Sequence, residues 1–149
     1  MSKKIFIVSG GTGGHIIPAR CLAEYLIAQK NQVLFFGDRK LVNFVKANDI
    51  YPSFYLRATK FSNQPIGFLN FVFNTSLALA KSLYYLLKIR PDYVYAFGGF
   101  ATFPMLIASI ICRRNIILHE QNAHLGKVNR LFIKFSKIVA LSLKNTSGI

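Results

Sequence analysis

"IVSGGTGGHIIPA", residues 7–19, ends an apolar run at Ser9, fills four of the next five positions with glycine and then reaches His15. A turn this bare between a strand and a helix suits an anion, because successive amide N–H groups and the following helix N-terminus both face it. A nucleoside-triphosphate loop needs Lys and Ser or Thr after its glycines, and none follow here. A dinucleotide turn needs a third spaced glycine; counted from Gly11, that place is taken by Ile16. Asp38, after the second strand-like run, could still hold a ribose for that reading. A sugar diphosphate asks only for the amides and the helix N-terminus. A tight turn with no ligand is the plainest alternative, and it would seldom need four glycines.

Working outward, apolar runs recur at 5–9, 32–37, 51–56, 93–97, 115–119 and 137–141. Helical stretches lie between them over Pro18–Gln29, Lys40–Ala47, Ile66–Ile89, Phe103–Cys112 and Gly126–Phe135. Alternation of short buried strands with helices predicts an α/β fold, a Rossmann-like doubly wound parallel sheet in a single domain over residues 1–149. Pro18 is expected in the first turn of its helix, and "RPD" at 90–92 is expected to stop the long one. In such a sheet ligands bind beyond the carboxyl ends of the strands at the switch in strand order. With order 3-2-1-4-5, the turns "GGTGGH", "GGF" and "EQNAHLG" converge.

The composition narrows the partners. Nineteen Lys and Arg against five Asp and Glu give a net charge of +14, so anionic partners are expected. An apolar fraction of 52% excludes disorder. Cys21 and Cys112 sit within apolar helical patterns and are expected to be core thiols in a reducing compartment. No leader pattern is visible, because the first strand runs straight into the glycines. No helix-turn-helix, zinc or aromatic-basic RNA motif supports a nucleic-acid partner. Five scattered carboxylates without an Asp-x-Asp make a dedicated metal site improbable.

Together "GGTGGHIIPA", "FGGFATFP" and "LHEQNAHLGKVNR" resemble the amino-terminal half of the MurG-type N-acetylglucosaminyltransferases of glycosyltransferase family 28. The resemblance covers nearly the whole chain, and three linked motifs carry more than one would. It implies one half of a two-domain GT-B fold, with an acceptor- and membrane-binding domain here and a carboxyl-terminal donor domain absent. It also implies transfer of N-acetylglucosamine, with inversion, from UDP-N-acetylglucosamine to an undecaprenyl-diphosphate-linked muramyl-pentapeptide in peptidoglycan synthesis. A donor domain from a separate chain would complete such an enzyme. The alternative is an inactive half acting only as a lipid-acceptor and membrane-binding module. No cofactor is implied.

Such a transfer needs a base for the attacking hydroxyl and positive potential for diphosphate oxygens. His15 is the chosen base, since an imidazole is available near neutral pH and a helix N-terminus disfavours its cation. Glu120 and His124 remain alternative bases, and His15 could instead be a helix-terminus residue. Glu120 could orient the acceptor or pair with Arg130, and His119 is expected to make a structural hydrogen bond. By resemblance, Thr12, Gly13 and Gly14 contact the diphosphate and sugar nucleotide, Asn122 contacts the transferred sugar, and Gly98 and Gly99 form an acceptor-side diphosphate loop.

Residues 66–89 are long enough for a transmembrane helix, but Lys81, Lys88, Asn70 and Asn74 argue against a span. Phe68, Leu69, Phe71, Val72 and Phe73 at its start suit an interfacial element instead, with Arg57, Lys60, Lys81, Lys88 and Arg90 facing anionic lipid. An ordinary core helix with snorkelling lysines is the bland alternative. The resembling family docks here on the cytoplasmic leaflet, which implies a peripheral protein of the bacterial inner membrane.

Overall fold

The computed structural model describes residues 2–43, 51–57, 59, 61 and 63–148. Period-two alternation builds the sheet: Ile5 and Ile7 of β1 (Lys4–Ser9) face one side, Phe6 and Val8 the other, and all four are buried. β2 (Gln32–Gly37), β3 (Ser53–Tyr55), β4 (Tyr93–Ala96), β5 (Asn115–Glu120) and β6 (Ile138–Leu141) complete a six-stranded sheet. Its order is β3-β2-β1-β4-β5-β6 and every pairing is parallel. The switch in strand order falls between β1 and β4, so their carboxyl ends open onto one crevice.

One face of the sheet is covered by α1 (Gly13–Ala28), whose Ile16, Ala19 and Ala23 pack on Ile5, Ile7, Val33 and Phe35. The other carries α2 (Pro65–Ile89), α3 (Thr102–Ile111) and α4 (Lys127–Phe132) over Phe6, Phe36, Val94 and Leu118. A short 3-10 turn, Ile133–Phe135, extends α4.

Two boundaries differ from the sequence reading. α1 begins at Gly13, so Pro18 lies inside the helix and His15 stands in its first turn. Pro18 has no N–H to give the Gly14 carbonyl, so that carbonyl lacks its usual partner within the helix. The stretch after β2 starts as a 3-10 turn, Arg39–Asn43, rather than an α-helix. The remainder of that expected helix, together with Asp49 and Lys60, lies outside the described residues.

α2 is anchored by a narrow stripe of Asn74, Ala78, Ser82 and Leu86, spaced four apart. Ser82 donates to Ala78 O at 2.8 Å, and the Asn74 amide donates to Asn70 O at 2.8 Å, so the buried polar groups are satisfied within the helix. Leu79, Leu83, Tyr85 and Ile89 flank the stripe and are partly buried, while the opposite face of α2 stays exposed. Arg90, in the left-handed region with φ 53°, caps the helix through its N–H to Leu86 O, and Pro91 follows.

Candidate active site

Two glycine turns meet at the carboxyl edge. Gly99 lies with φ +83°, and a side chain there would run into the Gly10 carbonyl. A Cβ on Gly10 would in turn sit 2.6 Å from the Ala101 Cβ. The turns after β1 and β4 therefore touch backbone to backbone, which only glycine permits. Gly10 is committed to this contact, and Gly11, with φ +92°, to the shape of the turn. Asp38 fixes the same turn by accepting the Gly11 N–H at 2.9 Å, so it braces the loop where a ribose partner was considered. Gly14 is different. A Cβ there would meet only Thr12 Oγ1, at 3.7 Å, and the residue is exposed.

Thr12 is the N-cap of α1, yet its hydroxyl does not cap the helix; it pairs with His15 Nδ1 at 2.9 Å. With the proton on Nδ1 and Thr12 Oγ1 accepting it, His15 Nε2 is a bare acceptor. The imidazole lies over Gly98, where a Cβ would come within 3.2 Å of Cδ2 and 3.3 Å of Nε2. Burial lowers the His15 pKa from 6.5, and the negative charge of Glu120 opposes that shift only in part. The ring is thus held neutral near pH 7.

The turn after β5 is organised by Glu120, which is only 1% exposed. Its Oε1 accepts the Asn122 N–H at 3.0 Å and the Asn122 amide at 2.9 Å. Its Oε2 accepts the Gly126 N–H at 2.8 Å and the Asn129 amide at 3.0 Å. Burial alone would raise the carboxyl pKa. The donors from Gly126, Asn122 and Asn129 outweigh it and hold the group below the usual carboxylate range. A carboxylate so placed is a poor proton acceptor and a firm loop organiser. Glu120 does not pair with Arg130 in this arrangement; Arg130 reaches the tail instead, beside Gly148.

His15, Gly98, Gly99 and Glu120 line one pocket of about 520 Å³, as the convergence of loops predicts. Phe100, Gly126, Lys127 and Asn129 join them, and the sequence reading had singled out none of these four as site residues. Asn129 is buried and donates to both His119 O and Glu120 Oε2, at 3.0 Å each, which fixes the orientation of its amide. Its Oδ1 is then a buried acceptor without a hydrogen-bond partner. Half of "KVNRLF" is polar, so nothing in the sequence set Asn129 apart from Lys127 and Arg130. His119 lies under the pocket: its ring packs on Phe97 at 4.6 Å and its nitrogens approach Gln121 and Ser142, a structural role. His124 is exposed and bonds Ser147 Oγ at 2.5 Å, outside the pocket lining.

On α2, Phe68, Leu69 and Phe73 are exposed by 45%, 67% and 58%. Phe71 is half-buried against Phe61. Lys81 is half-buried and donates to Tyr55 O at 2.7 Å, whereas Lys88 is exposed beside the Tyr84 ring. α2 is the one helix among the described residues with the length and apolarity to cross a membrane. Its stripe on α3 and the sheet ties it to the domain.

A six-stranded parallel sheet whose glycine turns close over a histidine at the switch point is a Rossmann-like domain of the GT-B type. The chain belongs to the family described as glycosyltransferase family 28 N-terminal domain, whose pattern matches residues 5–141. It is 40% identical over 147 residues to a UDP-N-acetylglucosamine--N-acetylmuramyl-(pentapeptide) pyrophosphoryl-undecaprenol N-acetylglucosamine transferase of Rickettsia bellii, covering 99% of this chain and 40% of that protein. A protein of the same name from Wolbachia pipientis subsp. Culex pipiens is 39% identical over 142 residues, covering 95% of this chain and 39% of that protein. The crystal structure of Acinetobacter baumannii MurG superposes with a TM-score of 0.85 at 25% identity, over 99% of this chain and 43% of that one. The chain thus spans about two fifths of the length of these relatives.

Proposed function

We propose that this domain binds the acceptor and supplies the base for transfer of N-acetylglucosamine from UDP-N-acetylglucosamine to an undecaprenyl-diphosphate-linked muramyl-pentapeptide. The observation that carries the reading is a neutral imidazole in a pocket walled by Gly98 and Gly99, where a diphosphate and an attacking hydroxyl can meet one base. His15 Nε2 takes the proton of the muramyl hydroxyl as its oxygen attacks the anomeric carbon, and UDP departs from the opposite face. Thr12 orients the His15 ring through Nδ1, and the tautomer with its proton on Nδ1 leaves Nε2 free to accept. The amides of the first turn of α1, at half-buried Gly13 and exposed Gly14, together with Thr12, face the sugar diphosphate. Asn122, its amide nitrogen fixed by Glu120, presents its amide oxygen to the transferred sugar. Glu120 positions that asparagine and Gly126 without touching the reacting atoms.

A carboxyl-terminal donor domain, on the same or another polypeptide, forms the opposite wall of the crevice in this reading. The exposed apolar start of α2 rests on the cytoplasmic leaflet of the inner membrane, with Arg57, Lys81, Lys88 and Arg90 toward anionic headgroups. The test is N-acetylglucosamine transfer to a lipid I analogue by residues 1–149, with and without a supplied donor half. Turnover is expected only with both. Robust turnover by the 149 residues alone would overturn the division of labour.

A further inference from the structure

A second hollow adjoins the active-site pocket. It is a groove of about 630 Å³ between α2, α3 and α4, walled by Phe71, Thr75, Phe103, Pro104 and Leu131 among others. Phe100, Lys127 and Val128 line both hollows, so the groove borders the site that holds His15, Gly98 and Gly99 across these three residues. Its wall is almost wholly apolar, and its charged members, Arg57 and Lys127, are both cations. Lys127 stands at the shared boundary.

We propose that this groove holds the first isoprene units of the acceptor's polyprenyl chain, with Lys127 at the junction of lipid and diphosphate. This rests on the reading of the pocket as a lipid-diphosphate site. A polyprenyl diphosphate changes abruptly from dianionic head to hydrocarbon, and the two hollows change character over the same three shared residues. Water in a groove lined by phenylalanine, proline and leucine finds few hydrogen-bond partners, so a branched hydrocarbon displaces it favourably. On its far side the groove is walled by Phe71 and Thr75 of α2, the helix that carries exposed Phe68, Leu69 and Phe73. The chain can therefore pass from the active site into the bilayer along apolar surface. The groove also sets the distance between the bilayer and His15, because the diphosphate is reached only after the chain has crossed α2.

Calorimetric titration of the 149-residue chain with farnesyl diphosphate and with inorganic pyrophosphate, at about 0.15 M salt, tests this. Farnesyl diphosphate is expected to bind at least about tenfold tighter than pyrophosphate, since several buried methylene equivalents contribute. Thr75→Trp, which fills the groove, should abolish that advantage and leave pyrophosphate affinity unchanged. Leu131→Asn, uncharged and at a position 64% exposed on the groove wall, should do the same and replaces Thr75→Trp if the latter melts early. Phe73→Ser, on the outer face of α2, should leave both affinities as they were. Equal affinity for the two ligands in the wild type would overturn the groove and spare the diphosphate site. An advantage that survives both groove variants, or that Phe73→Ser removes, would place the prenyl chain elsewhere. Binding of neither ligand would overturn the diphosphate reading and the groove with it.

Discussion

Glu120 and Leu69 mark two surfaces that solve opposite problems. Glu120 is 1% exposed, and backbone and side-chain donors from Asn122, Gly126 and Asn129 occupy its oxygens. Leu69 is 67% exposed, with Ile66 at 84% and Phe73 at 58% on the same helix. Around Glu120 a buried charge is affordable only because its partners are complete, so the loop has one geometry. On α2, apolar area is left uncovered over several turns, more than scattered surface hydrophobics account for. The first surface fixes atoms for chemistry; the second remains free to adhere. Between them lie two adjoining hollows that share Phe100, Lys127 and Val128.

The comparison breaks most severely at His15. In an enzyme reconstituted with a donor half, His15→Ala is expected to lower kcat by about 10²–10⁴-fold with little change in acceptor KM. Gly14→Val should do the reverse, raising KM first. A Cβ at this position meets only Thr12 Oγ1 at 3.7 Å, so its thermal melt should barely move. Steady-state kinetics and a melt on each variant separate the two roles.

Glu120→Gln comes next. Its amide nitrogen would face two of the four donors the carboxylate now accepts, and a loss of about 2–3 kcal/mol in unfolding free energy is expected. The folded carboxyl titrates below its usual 4.5, so its contribution is fully present above that pH. It disappears as pH falls through the folded value, and the wild-type–variant gap should close on acidification. Urea melts at neutral and acid pH check this.

For the adhesive face, the triple change Phe68→Ser, Leu69→Ser and Phe73→Ser should weaken binding to anionic vesicles by at least about tenfold without altering the melt. The smallest effect belongs to Lys88→Ala, about 1 kcal/mol of vesicle binding at low salt and less at high salt. Flotation with vesicles at two ionic strengths reads both. Unchanged binding by the triple variant would remove the contrast between the two surfaces.

The strand alternation, the switch point and the meeting of three loops were legible because periodicity and glycine spacing are local signals. Pro18 was misleading: proline favours a first turn, but Gly13 and Gly14 already begin the helix, so His15 enters it. The brace from Asp38 to Gly11 joins segments 27 residues apart and leaves no periodic trace. The donors around Glu120 lie two to nine residues away, in an irregular turn that no period describes, and the orphan Oδ1 of Asn129 belongs to the same turn. Exposure on α2 was legible only as apolarity. Which residues were outward depended on the stripe Asn74–Ala78–Ser82–Leu86 that anchors the helix, and that stripe placed Phe71 half inside.

The central claim is that a neutral His15 is the base, and the pH dependence of kcat/KM in the reconstituted enzyme, which reports the free enzyme's base, tests it most directly. Burial holds the imidazole pKa below 6.5, so the account predicts a rate flat through neutrality that falls on acidification only below 6.5, with that acid limb lost in the residual activity of His15→Ala. An acid limb that persists unchanged in His15→Ala, with near wild-type turnover, would contradict it.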